Sequence, residues 1–350
     1  MEDGLKQFNF IVANRDKIVK EREAAGIKPL LRSGKTKKII GLSCGKKNGT
    51  SEMHLRSAAQ GAAELGMEME IIRASELTVK PCKACYACNS VMTPDPKLPK
   101  CPIKDDVPWL MEKTVVEDAA LIVAAPVYHL FSNALLLTLC QRMHPTMFTH
   151  MEMLNHEQKK VVGIISVGGG QDGWMSLGSV IPIEWVQHFG VIADRVEVET
   201  RYTDVDWLSR SRQLGRNVAR AMSVPISEVK YMGEKGAFAC PVCQSDVLQM
   251  PDQKPRPPVP GEYRYKPSHV VCPICWVHGD FYFEGETLKV KWDQWDIDHP
   301  RDSEYGVFEH MDVMFRNLNP GHKETIDFRN YAEQNAKLQA YGSVIKPGDK

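Results

Sequence analysis

From Lys38 onward, short apolar runs and amphipathic stretches take turns along the chain. Residues 38–43 (KIIGLS), 67–72 (MEMEII), 119–125 (AALIVAA), 161–167 (VVGIISV) and 191–199 read as strands. Residues 52–65, 107–116, 134–143, 177–189 and 207–222 lie between or after them with helical spacing of their apolar positions. The central strands are apolar on both faces, which predicts a parallel sheet covered by helices on either side. The fold class is therefore α/β, a doubly wound sheet of five parallel strands. Ahead of it, residues 1–35 predict a helical arm, with Leu5, Phe8, Ile11, Val12 and Ile18 at near-helical spacing and Pro29 ending the pattern. The alternation stops after Val224. Residues 236–295 carry short alternating runs (DFYFEG, TLKVKW) and predict a small β module. Residues 296–350 are polar with scattered aromatics and predict an extended or partly helical tail that wraps the body or a partner.

The 350 residues suffice for a large α/β domain with appendages. Lys+Arg and Asp+Glu balance at 44 each, without the basic excess of a protein that lives on nucleic acid. No apolar run approaches the roughly 18–20 residues that cross a bilayer. The first residues lack the basic-then-apolar pattern of a secretory signal. The expectation is a cytoplasmic protein with neither nucleic acid nor membrane as partner.

The chain has ten cysteines, and eight fall into two tightly spaced sets. In a chain with no secretory pattern this points to metal or cluster binding rather than disulfides. The first set, Cys82, Cys85, Cys88 and Cys101, has the spacing C-x2-C-x2-C-x12-C within residues 81–106. Thiols at i, i+3 and i+6 turn inward around one soft centre, and the spacing alone admits an iron–sulfur cluster or zinc. The second set, Cys240, Cys243, Cys272 and Cys275, makes two CP-x-C knuckles of a four-thiolate site. Gln244 and Trp276 follow the knuckles, where rubredoxin usually has glycine, and residues 276–292 resemble the hairpin of a zinc ribbon. Zinc is the expected metal there, with rubredoxin-type iron as the alternative. Cys44 and Cys140 stand alone.

Three loops follow strands and have the chemistry of a ligand edge. Residues 43–51 (SCGKKNGTS) offer backbone N–H groups, hydroxyls and a helix N-terminus to a phosphate. The loop matches neither a dinucleotide fingerprint nor a P-loop. Residues 126–133 (PVYHLFSN) present backbone and an aromatic ring, and residues 168–174 (GGGQDGW) let backbone approach a ligand closely.

Residues 38–222 resemble the NADPH-dependent FMN reductase branch of the flavodoxin-like superfamily, and more narrowly the iron–sulfur flavoproteins. The resemblance rests on LSCGKKNGTSE, PVYHLFSN and the pair CKACYAC/CPIKDD. It implies a flavodoxin-like FMN domain over residues 36–224. Ser43, Asn48, Thr50 and Ser51 would hold the phosphate, with Lys46 or Lys47 supplying the charge that Gly45 does not. Pro126, Val127, Tyr128, His129, Asn133, Gly168, Gly169 and Gly170 would border the ring, and Trp174 would stack on it or close the pocket. Cys82, Cys85, Cys88 and Cys101 would ligate a [4Fe-4S] cluster. His129 is the candidate catalytic side chain, with a plain hydrogen-bonding role as the alternative.

The expected function is that of an FMN-dependent oxidoreductase passing electrons between the cluster and FMN to a small-molecule or protein acceptor. Ferredoxin or NAD(P)H would be the donor, and the resemblance implies a homo-oligomer, a dimer or tetramer. One alternative is an NAD(P)H-dependent FMN, quinone or substrate-specific reductase whose cysteine loop is structural. Another is a non-enzymatic regulatory or scaffold protein that uses the ribbon.

Overall fold

The computed structural model describes residues 8–169, 175–199, 208–250, 268–318 and 328–339. Five parallel strands form the sheet: β1 (Lys38–Ser43), β2 (Glu68–Arg73), β3 (Ala120–Tyr128), β5 (Lys160–Gly168) and β6 (Gly190–Glu199). Their order is β2-β1-β3-β5-β6, and a two-residue strand, β4 (Phe131–Ser132), adds to β3 antiparallel.

The period of two along each strand sorts the core into two clusters. Leu121, Val123 and Ala125 of β3 face one cluster, and Ala120, Ile122 and Ala124 face the other. The second face is covered by α2 (Thr50–Ala63) and α7 (Ser209–Ala221). These two helices come close enough that a Cβ on Gly61 would lie 1.9 Å from the Arg212 carbonyl oxygen. One on Gly215 would lie as near that of Ala58. Glycine is what permits that contact. The first face is covered by α3 (Val107–Met111, continuing in a π-turn to Val116), α4 (Ala134–Gln141), α5 (His144–Thr149) and α6 (Val180–Gln187).

The N-terminal arm is a helix, α1 (Asn9–Ala24), that lies on this first face; Leu5 falls outside the described residues. Beyond it Arg32 ties the chain to the carbonyls of Val115 (2.6 Å) and Gln158 (2.6 Å).

The C-terminal β module is a three-stranded antiparallel sheet, β7 (His269–Val271), β8 (His278–Glu284) and β9 (Thr287–Trp292). After it come α8 (Gln294–Asp298), α9 (Glu304–Leu318) and α10 (Phe328–Leu338), so the tail is largely helical where it is described. α9 returns to α1. Phe10 stacks on Phe315 with ring centroids 3.7 Å apart, and Arg15 pairs with Glu304. The arm and the tail therefore pack on each other within one chain.

Candidate functional site

β1 carries Ser43 to the carboxyl edge of the sheet, in register with Ala124 of β3 and Arg73 of β2. Ser43 is fully buried, yet its Oγ has no hydrogen-bond partner among the described residues. A buried hydroxyl left unpaired costs about 1–3 kcal/mol, which an oxygen-rich ligand at this edge would relieve. The loop that follows is compact. A Cβ on Gly45 would lie 3.0 Å from Ser51 Oγ, and Asn48 takes a left-handed conformation (φ 54°). Among the described residues the N–H groups of Gly45, Lys46 and Lys47 donate to nothing, and α2 opens at Thr50 without a side-chain cap. Free N–H groups facing a helix N-terminus make an anion cradle. Lys47 is paired with Glu76 at 3.2 Å, while Lys46 is exposed with no carboxylate partner among the described residues. Of the two lysines in this loop, Lys46 is the one without such a pairing among the described residues.

Glu52, which sequence reasoning passed over, fastens this loop. Its buried carboxylate accepts from the Asn48 N–H (2.9 Å), Arg56 (2.6 Å) and Arg73 (2.9 Å). The Arg73 hydrogen bond does most to hold its pKa down at about 2; burial opposes it, and the Asn48 and Arg56 bonds add to it.

Residues 126–133 are a β-hairpin rather than an open loop. β3 runs through Pro126 and Val127 to Tyr128, turns at His129 (φ 48°) and Leu130 (φ 75°), and returns as β4. Two left-handed residues in a row are what a two-residue hairpin needs, and here neither is glycine. His129 sits exposed at the tip, between the exposed rings of Tyr128 and Phe131. Asn133 closes the hairpin with its N–H on Pro126 O (3.0 Å). Its side chain caps α4 and donates to Cys44 O at 2.7 Å, so the first two loops are tied together. β5 ends at Gly168, where a Cβ would lie 2.7 Å from Met175. Gly169 follows, while Gly170 and Trp174 lie outside the described residues.

The cysteine loop leaves and re-enters the body at one neck. Asp106 accepts from the Thr78 N–H (2.7 Å) and returns its own N–H to Thr78 O (3.0 Å). Asp105 accepts from the Lys80 N–H (2.9 Å) and pairs with the buried Arg142. Asp105 also accepts from Val107 N at the start of α3 (3.3 Å). Beyond the neck, Ala84 (φ 49°) and Tyr86 (φ 56°) are left-handed. That alternation coils the backbone between Cys82, Cys85 and Cys88. The thiols influence one another: burial raises the Cys88 pKa first, and Cys82, Cys85 and Cys101 add to it. Two sulfurs already receive N–H donors, Cys82 from Ala84 N (3.4 Å) and Cys101 from Arg142 Nη2 (3.4 Å). The four do not converge to the spacing of a single-ion site. Four thiols on one coiled loop are a donor set that a cluster or a zinc ion could use.

The long spacer before Cys101 is braced by α1. Asn14 donates to Val91 O (2.8 Å) and Thr93 O (3.1 Å), Lys17 reaches Pro94 O (3.5 Å), and Glu21 accepts from Leu98 N (2.7 Å).

The second set converges. Cys240, Cys243, Cys272 and Cys275 are buried with their sulfurs within 4.8 Å of one another, and Cys243 and Cys272 lie 3.6 Å apart. Tetrahedral thiolates at about 2.3 Å from one ion stand about 3.8 Å apart, so the set fits a mononuclear metal. The two knuckles repeat one hydrogen-bond pattern. Cys240 N bonds Ser245 O and Gln244 N bonds Cys240 O, while Cys272 N bonds Val277 O and Trp276 N bonds Cys272 O, all at 2.9 Å. Gln244 (φ 60°) and Trp276 (φ 63°) take the left-handed conformation that glycine would serve, so the missing glycines do not discriminate zinc from iron.

Residues 37–195 match the family model described as NADPH-dependent FMN reductase. An iron-sulfur flavoprotein of Methanosarcina thermophila is 32% identical over 167 residues, covering 44% of this chain and 81% of the relative. The chain belongs to the iron-sulfur flavoprotein family. A second such flavoprotein, from Methanocaldococcus jannaschii, is 28% identical over 162 residues, 46% of this chain and 75% of the relative. Among solved structures a flavone reductase superposes with a TM-score of 0.64 at 20% identity, covering 88% of this chain and all but 1% of its own. This iron-sulfur flavoprotein is thus a flavin-dependent oxidoreductase on a flavodoxin-like sheet, with a four-cysteine site in its C-terminal module. Among the described residues no helix is long and apolar enough to cross a membrane.

Proposed function

We propose that the protein exchanges electrons between a [4Fe-4S] cluster on Cys82, Cys85, Cys88 and Cys101 and an FMN held by loops 43–51, 126–133 and 168–170. FMN supplies one- and two-electron chemistry, and the cluster supplies single-electron transfer. The residues have complementary tasks. Ser43, Thr50, Ser51, the free N–H groups and Lys46 take the phosphate. Tyr128, Phe131 and the Pro126–Val127 backbone border the ring, and His129 is the group able to carry a proton at that rim.

The observation that carries this reading is α4. Its N-cap, Asn133, binds the phosphate loop at Cys44 O, and its C-cap, Arg142, binds Cys101 Sγ. Eight helical residues rise about 12 Å, so one short rod joins the two centres' supports. Ferredoxin or NAD(P)H would reduce the protein, and assembly into a homo-oligomer would add a second route from the cluster of one copy to the flavin of another. The ribbon set is assigned zinc with a structural task. Cys275 Sγ reaches Gln187 at the end of α6 remote from the third loop, on the order of 12 Å of helix away from the flavin edge.

Protein prepared without oxygen should be brown, with iron and acid-labile sulfide in equal amounts besides zinc and FMN. Cys82→Ala should lose the cluster and slow flavin reduction by reduced ferredoxin at least tenfold. A yellow protein with zinc at both cysteine sets would refute the cluster.

A second reading is favoured by the reach of the fold likeness. Its 88% coverage cannot come from the flavin domain alone and must extend into the ribbon module. The acceptor would then be a planar organic compound of flavone type. Prompt anaerobic reoxidation of the reduced flavin by flavones, but not by quinones or ferredoxin, would select this reading.

A further inference from the structure

Arg142 follows directly on α4, where nothing in its sequence setting marks it as functional. Its side chain is 2% exposed, and the side chain of its ion-pair partner Asp105 is fully buried. The two ends of the guanidinium do different things. Nη1 bonds Lys80 O (2.9 Å) and Asp105, which closes the neck of the cysteine loop. Nη2 donates to Cys101 Sγ at 3.4 Å. Cys101 is therefore the one thiol of its set, among the described residues, that receives a hydrogen bond from a charged group.

We propose that Arg142 and Asp105 together set the reduction potential of the cluster, with Arg142 acting as a positioning and tuning residue at Cys101. The inference rests on the cluster reading above. Adding one electron to the cluster places an extra negative charge on the iron–thiolate assembly. Hydrogen bonds to the sulfurs and net charge nearby are what move such potentials. A guanidinium bonded to the thiolate stabilises the reduced form more than the oxidised one. The Asp105 carboxylate, on the far side of the same guanidinium, opposes it. Both groups are buried, so salt does little to screen them.

The test is a dithionite titration of the full-length protein, followed by the EPR signal of the reduced cluster, with iron content measured on each sample. Arg142→Gln should lower the midpoint by at least tenfold in the one-electron equilibrium, ~59 mV. Arg142→Lys should lower it by less, and Asp105→Asn should raise it. The double variant should return close to the parent. A clasp that is merely architectural would lose iron or broaden the signal without opposite shifts. Shifts of the same sign, or none beyond error with iron retained, overturn the proposal. If Arg142→Gln fails to hold iron, Arg142→Lys and Asp105→Asn carry the same test. Loss of iron in all three also overturns it. A parent protein with no iron in this loop removes the cluster reading, and this inference with it.

Discussion

Glu52 shows how one side chain fastens the proposed phosphate loop from the helix that follows it. Its carboxylate gathers Arg56, Arg73 and the Asn48 N–H, and so fixes the left-handed residue at the centre of the cradle. Glu52→Gln keeps the shape and removes the charge, and should weaken FMN binding by on the order of tenfold, about 1.4 kcal/mol. Flavin fluorescence titration measures this, and unchanged affinity would sink the idea. The acid behaviour has a defined sign. The folded-state value, about 2, lies below the ordinary 4.5, so the pairing adds stability at every pH above 4.5. That contribution fades as pH falls from 4.5 through about 2. Flavin release on acidification should shift to higher pH in Glu52→Gln. The cradle itself was legible, because SCGKKNGTS places glycines, hydroxyls and a helix start in one turn. Glu52 was not, because its partner Arg73 lies at the end of another strand. Only the pairing of Ser43 with Arg73 brings it near.

Among the elements, α1 braces the spacer before Cys101. Its buried line is Ile11, Asn14, Ile18 and Arg22, with polar residues at positions the helical pattern would give to the core. Those two polar side chains were the available signal that the arm reaches for something. Asn14 takes two spacer carbonyls, and Arg22 pairs with Glu152. Asn14→Ala strands both carbonyls, at about 1–3 kcal/mol. The cluster should then bleach several-fold faster in air, while the flavin spectrum stays as it is. Bleaching at the parental rate would show that the spacer needs no brace. The hairpin at 126–132 was read as a loop for a related reason. β4 is two residues long, and its turn uses His129 and Leu130 in place of the glycine or asparagine that announces such a turn.

At the scale of the molecule, the ribbon anchors the tail to the sheet. Arg301 N bonds Cys275 O (2.9 Å), and Lys159 pairs with the buried Asp302 (2.8 Å) and reaches Gln187 O (2.6 Å). Cys272→Ser should lose the ribbon metal and lower Tm by roughly 5 °C, the scale of ~2 kcal/mol in a large domain. The flavin and cluster spectra should persist at low temperature. Collapse of the flavin spectrum in that variant would instead place the ribbon metal in the redox site. The rod between the two proposed centres carries a consequence of its own. One inserted residue in α4 would swing Arg142 through about 100° around the helix relative to Asn133. No relaxation of neighbouring loops could restore both grips at once. The stretch from Asn133 to Arg142 thus works as a gauge of fixed length, and a one-residue insertion in it should release Cys44 O or Cys101 Sγ.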